Sequence, residues 1–170
     1  MSRSLDLPAI DRVDTLAQEL ALLQDKGARR IAILGSRHVP VVAIHLIELI
    51  ARSLAQEGHS LVTSGAQGVN AAVIRGVLAV DASKLTVLLP QSLSRQGPEI
   101  RDQLESVLHL IEKPEHDDLP LPMASSLCNQ DIISRCDQLI CLAFHDSETL
   151  LSSCRNAEDM GKVVSLLFFD

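Results

Sequence analysis

Short, largely apolar runs alternate along the chain with longer segments in which apolar residues recur every three or four positions. Residues 30–34, 60–63, 85–89, 108–112, 138–143 and 163–168 read as six β-strands, being rich in Val, Ile and Leu and bounded by Gly, Pro, Asp or Ser. The strands show little polar alternation, as expected when helices cover both faces of a sheet. Between them, residues 41–57, 68–80, 98–106, 125–136 and 148–160 read as helices. In the first, Val42, Leu46, Leu49, Ile50 and Leu54 repeat at helical spacing and Gly58 is placed to stop the helix. Strand and helix in strict alternation predict an α/β fold: one doubly wound, mainly parallel sheet of about six strands with helices on both faces.

Residues 10–26 predict a further helix before the first strand, with Leu16, Leu20 and Leu23 on one side. Residues 1–29 are therefore read as an N-terminal helical extension and 30–170 as the α/β domain. The stretch 113–122, with Pro114, Pro120 and Pro122, reads as a loop. A chain of 170 residues suits one domain able to form a full core.

Composition narrows the class. Hydrophobic residues make up 46% of the chain, yet no apolar run approaches the ~20 residues that cross a bilayer, and the first residues lack the pattern of a secretory signal. A soluble, cytoplasmic protein with no membrane association is expected. Cys128, Cys136, Cys141 and Cys154 have no Cys-x-x-Cys spacing and are read as buried free thiols. The scattered histidines, His45 on the first apolar helix among them, form no metal set, and neither metal nor cofactor is expected.

The formal net charge of −7 argues against a surface that coats nucleic acid, because such binding depends on many phosphate contacts. Phe144, Phe168 and Phe169 are the only aromatic residues, too few for a series of rings that stacks successive bases. What remains open is a small, focused anion site.

An open parallel sheet places its ligand beyond the carboxyl ends of the strands, where strand order reverses. The residues just past those ends are polar: Gly35-Ser36-Arg37-His38 after the first strand and Ser64-Gly65-Ala66-Gln67-Gly68 after the second. The segment 90–97 follows the third, and 144–149 the fifth. The stretch 63–76 runs from strand through a glycine turn into a helix. Gly65 and Gly68 allow close approach to the main chain, and the new helix points its unpaired N–H groups the same way. Arg37 can supply a bidentate charge-assisted bond, and Ser36 and Ser64 can donate hydroxyls. Arg95, in a longer loop, reads as a solvated charge.

At these residues the chain resembles a known family. Ile31-Ala32-Ile33-Leu34-Gly35-Ser36-Arg37, then Ser64-Gly65-Ala66-Gln67-Gly68-Val69-Asn70-Ala71-Ala72 with Arg75-Gly76, is similar to the Rossmann-like core of the DNA processing protein A (Smf) family. The wider group includes the cytokinin-activating phosphoribohydrolases. The likeness continues through Asn129-Gln130-Asp131-Ile132-Ile133 and Asp137, and ends at Ser147-Glu148-Thr149-Leu150-Leu151, covering about residues 30–167.

The resemblance implies a homodimeric protein of DNA uptake and recombination that binds single-stranded DNA at the carboxyl edge of the sheet and helps load a recombinase. Carried over, Gly35, Ser36 and Arg37 hold one phosphate region and Thr63, Ser64, Gly65 and Gly68 the next. Arg75 helps place the helix, and Asn129, Ser147 and Thr149 close the site. Three positions depart from the family pattern: Asn70 replaces an aspartate, Gln130 an arginine and Glu148 a glycine. Asn70 removes an acid, whereas Gln130 removes a positive charge and Glu148 adds a negative one near the anion site.

Two other functions fit the same crevice. One is a sensor or carrier of a nucleotide or phosphorylated metabolite, for which a single phosphate site suffices. The other is a phosphoribohydrolase releasing base from a nucleoside monophosphate. Those relatives carry Pro-Gly-Gly-x-Gly-Thr-x-x-Glu after the fifth strand, and the glycines and final glutamate are absent from Ala143-Phe144-His145-Asp146-Ser147-Glu148-Thr149-Leu150-Leu151. Asp146 and Glu148 read as solvated or helix-capping acids, no catalytic residue is nominated, and the chain is read as a non-enzyme. The apolar end Leu166-Leu167-Phe168-Phe169 suggests a covered sheet edge or a subunit contact, and homodimerisation is predicted.

Overall fold

The computed structural model describes Leu16, Ala17, Leu20 and residues 27–144 and 148–169. Six strands form one sheet: β1 (Arg30–Gly35), β2 (Ser60–Ser64), β3 (Leu85–Leu88), β4 (His109–Ile111), β5 (Gln138–Phe144) and β6 (Val163–Phe169). They are accompanied by the α-helices α1 (Val41–Gln56), α2 (Val69–Leu78), α3 (Pro98–Leu104), α4 (Leu121–Ser134) and α5 (Glu148–Asp159). The order is β4-β3-β2-β1-β5-β6 and every neighbouring pair is parallel. The chain builds outward from β1 to β4 and then returns to lay β5 on the other side of β1. Strand order thus reverses between β1 and β5, and a crevice opens there beyond the carboxyl ends.

Alternate residues of the same strands feed two cores. Ile31, Ile33, Leu61, Val87 and Leu142 pack on one face with Ile47, Ala51, Val73 and Val77 of α1 and α2. Ala32, Leu34, Val62, Leu139 and Cys141 pack on the other with Ile132, Ile133, Leu150 and Ala157 of α4 and α5. Burial on both faces explains why these strands lack polar alternation, and each fully buried Ile or Leu contributes about 2 kcal/mol.

The structure corrects several expectations. The helix expected at 125–136 begins at Leu121, because Pro120 stands at the N-cap and Pro122 in the first turn, where a missing N–H breaks no helical bond. The loop expected at 113–122 is therefore shorter. On α1, Val42, Leu46 and Leu49 are exposed, and the buried residues are Ile47, Ala51 and Ala55. This helix is apolar nearly all round, so periodicity did not select the inner face. Small residues select it: Gly76 of α2 lies against the Glu48 carbonyl and Ala51, at an approach that larger side chains would block. Gly58, with φ of 91°, ends α1 as expected.

The expected helix at 10–26 lies outside the described residues apart from Leu16, Ala17 and Leu20, which are helical. His45 is exposed on α1. All four cysteines are buried free thiols, and burial pushes the Cys128 thiol up to about 12. Among the described residues no helix is long and apolar enough to cross a membrane.

Candidate functional site

An open cleft of about 710 Å³ occupies the carboxyl edge of the sheet at the β1/β5 reversal. Its floor and one wall come from the ends of β1 and β2, with Gly35, Ser36, Arg37, Ser64, Gln67 and Asn70. The loop after β3 brings Arg95 and Gln96, and the starts of α4 and α5 bring Ser125, Asn129 and Thr149. Among the described residues, two arginines and no carboxylate line this cleft, on a chain of net charge −7. Both arginines are exposed, and neither forms a salt bridge among the described residues. Their charge is therefore available to an anion.

The glycine turn is shaped as much by the neighbouring loop as by any ligand. Gly68 has φ of 75° and ψ of −123°, and a Cβ there would run into the Ser36 and Arg37 carbonyls. The next amide, Val69 N, donates to Ser36 O at 3.1 Å. One of the four orphan donors of the α2 N-terminus is thus spent on the β1 loop. Gly35 is held as closely, since a Cβ would lie 2.5 Å from both Leu142 O and Val69 Cγ2. A Cβ on Gly65 would meet the Leu89 side chain.

The hydroxyls divide by role. Ser36 Oγ accepts from Phe144 N at 2.9 Å and lies 3.3 Å from Phe144 O, so it ties β1 to β5 rather than waiting for a phosphate. Thr63, fully buried, donates to Ile33 O at 2.7 Å and lies 3.1 Å from Asn70 Oδ1. Ser64 differs. Its Oγ accepts from Asn70 Nδ2 at 2.9 Å and from Ala66 N at 3.4 Å. Both lone pairs are thereby occupied and the hydroxyl proton is left to donate into the cleft. The amide of Asn70 makes Ser64 a donor, whereas an aspartate there would claim that proton.

Arg75 lies outside the cleft, where its Nε meets Glu48 Oε2 at 3.3 Å and pins α2 to α1. Asn129 and Thr149 line the cleft. Ser147, with His145 and Asp146, lies outside the described residues. Glu148 lines an adjoining cleft between α4 and α5 and not the one that holds the arginines.

Arg95, expected as a solvated charge, is exposed and also lines the cleft. Its loop is anchored from below: Gln91 Nε2 donates to His116 O and Leu119 O, both at 3.1 Å. Ser92 donates to Asp117 through N at 2.8 Å and Oγ at 2.5 Å, which holds the Asp117 carboxyl below its usual range. Leu93 N donates to Glu112 Oε1 at 2.7 Å. The residues 91–93 that brace Arg95 stand just past a strand end, the one signal in the sequence that could have singled it out. Gln67 and Gln96 share that signal, Ser125 carried none, and folding brings all three to the cleft.

The family model for DNA recombination-mediator protein A matches residues 19–119, more than half of the chain. Among solved structures, DNA processing protein A from Helicobacter pylori, described for its single-stranded DNA binding mode, is similar with TM-score 0.67 at 25% identity, over 81% of this chain and 64% of that one. DNA processing protein A from Streptococcus pneumoniae aligns with TM-score 0.51 at 15% identity, over 81% of this chain and 58% of its own. The molybdenum cofactor carrier protein of Chlamydomonas reinhardtii aligns with TM-score 0.60 at 14% identity, over 84% and 78% respectively. The last two are likenesses of fold. This chain spans less than two thirds of the length of either DNA processing protein A structure. No curated protein sequence matches it.

Proposed function

The chain belongs to the DNA recombination-mediator protein A family, and on that premise we propose that its arginine-bearing cleft holds the phosphate backbone of single-stranded DNA. The observation that carries this reading is that two arginines free of salt bridges, Arg37 and Arg95, line a cleft to which no described residue brings a carboxylate, on an acidic chain. The Ser64 hydroxyl and the remaining first-turn amides of α2 add neutral donors. The role is binding without catalysis, and Gly35, Gly65, Gly68, Thr63 and Asn70 shape the cleft. Homodimerisation and handover to a recombinase belong to the same proposal.

Fluorescence anisotropy with a labelled oligodeoxynucleotide at low salt tests it. Binding in the micromolar range is expected, and Arg37→Ala or Arg95→Ala weakens it roughly tenfold each, the loss of one charge-assisted bond. Absence of binding at protein concentrations on the order of tens of micromolar overturns the reading.

A second reading is favoured by the same charge count. Two cleft arginines and three phenylalanines in the whole chain suit one nucleotide or phosphorylated metabolite as well as a polymer. Thermal-shift screening together with the oligonucleotide titration tests it: a mononucleotide at 100-fold excess over Kd stabilises by about 2.7 kcal/mol, Arg37→Ala abolishes the shift, and the oligonucleotide does not bind.

A further inference from the structure

A second cleft, of about 460 Å³, lies between α4 and α5 and shares Pro122, Asn129 and Thr149 with the arginine cleft. Ser126, Asn129 and Gln130 face it from α4, and Glu148, Ser152 and Asn156 from α5, each set at the spacing of one helical face. Among the described residues, Ser126, Gln130, Glu148, Ser152 and Asn156 make no side-chain hydrogen bond. Asn129 makes one long one, to Ser153 Oγ at 3.4 Å. Two helices thus present unspent amides and hydroxyls across a gap, whereas α1 and α2 close on each other through Ala51 and Gly76.

The lining decides what fits. Among the described residues no cation faces the space and Glu148 does, so a phosphate is repelled; nearly every wall residue carries a hydrogen-bonding group, so an apolar ligand would cut donors and acceptors off from water without replacing their bonds. A neutral, flat molecule rich in donors and acceptors, joined to an anion held next door, satisfies both clefts. We infer that the cleft between α4 and α5 is a nucleobase subsite that prefers guanine, with Glu148 accepting from the base. This rests on the reading of the arginine cleft as a phosphate site.

Guanine is preferred because its Watson–Crick edge sets N1–H beside the N2 amino group, two parallel donors matched to one carboxylate. Adenine and cytosine place a ring acceptor beside their amino donor, and thymine flanks its single N–H with two carbonyls, so each sets a lone pair against Glu148. The Asn129 and Gln130 amides can turn either donor or acceptor toward the remaining base atoms. Glu148 also stands in the first turn of α5, where a carboxylate is favoured by the helix dipole with no ligand at all. The experiment separates the two roles.

Calorimetric titration of the protein with dGMP, dAMP, dCMP, dTMP and deoxyinosine monophosphate, up to millimolar concentration, is the test. Binding of dGMP about tenfold tighter than of dAMP is expected, with deoxyinosine monophosphate, which lacks the N2 amino group, in between. Glu148→Gln removes the preference by weakening dGMP and not dAMP, while Arg37→Ala weakens all five. Equal affinity for dGMP and dAMP, a preference that survives Glu148→Gln, or no binding by any of the five overturns the base subsite. The phosphate reading is judged separately, by the oligonucleotide titration, and survives equal affinities.

Discussion

Gly68 stands where three chain segments meet: its backbone is in a region that L side chains rarely adopt, and the Ser36 and Arg37 carbonyls occupy the place of a Cβ. Gly68→Ala is expected to destabilise the fold by at least about 2 kcal/mol, measured by urea unfolding, because strain and backbone overlap act together. Asp137 closes the amino end of the β1/β5 pair. Its carboxylate accepts from Arg30 N at 3.0 Å, Nε at 3.3 Å and Nη2 at 2.8 Å, and the Arg30 hydrogen bonds hold its carboxyl below the ordinary range. A depressed folded-state value means that this pair supports the fold above the unfolded carboxylate value of about 3.9 and that the support is lost as pH falls through the lower folded value. Asp137→Asn is expected to lower stability at neutral pH and to flatten its acid dependence, read from urea midpoints between about pH 2 and 6. At this scale the sequence exposed the glycines and Arg37. It did not reveal that Ser36 is spent on Phe144 while Ser64 is left a free proton by Asn70, because hydroxyl roles depend on partners distant in the chain.

Among the elements, the segment carrying Arg95 is anchored by Ser92, Leu93 and the buried amide of Gln91. Gln91→Leu removes donors to the His116 and Leu119 carbonyls and is expected to cost about 1–3 kcal/mol. Hydrogen exchange should show residues 92–97 and 113–119 losing protection before the β-sheet does, and affinity for an oligonucleotide falling with them. The inner strands were legible because a buried parallel strand must be a short apolar run, and the edge strands β4 and β6 because they too are short apolar runs. Helix boundaries were less so: prolines at the start of α4 imitate a loop, and α1 is apolar on faces that stay exposed.

For the molecule as a whole, acidic residues outnumber basic ones, 22 to 15, and two arginines line the cleft. If the arginine cleft alone meets the DNA backbone, Z is about 2, and log K should fall with log salt at a slope of only about −1.4 for single strands. A slope several times steeper places contacts outside this cleft. Leu167 and Phe168 are exposed on β6, an edge strand, and the proposed homodimer uses them. Phe168→Lys is therefore expected to shift light-scattering mass from dimer to monomer.

Alternation of strand and helix, glycines at the turns and the acidic balance were written in the sequence, because local periodicity and composition survive without any knowledge of partners. The family's first two motifs were equally readable, being contiguous. Tertiary structure alone decided which polar groups remained available. The pairing of β1 with β5 spent Ser36, the anchored loop after β3 raised Arg95 to the cleft, and Glu148 was turned toward a separate gap between α4 and α5. Each outcome depends on contacts between segments remote in the chain, and a hydrogen-bonding group is free for a ligand only when no such contact has claimed it.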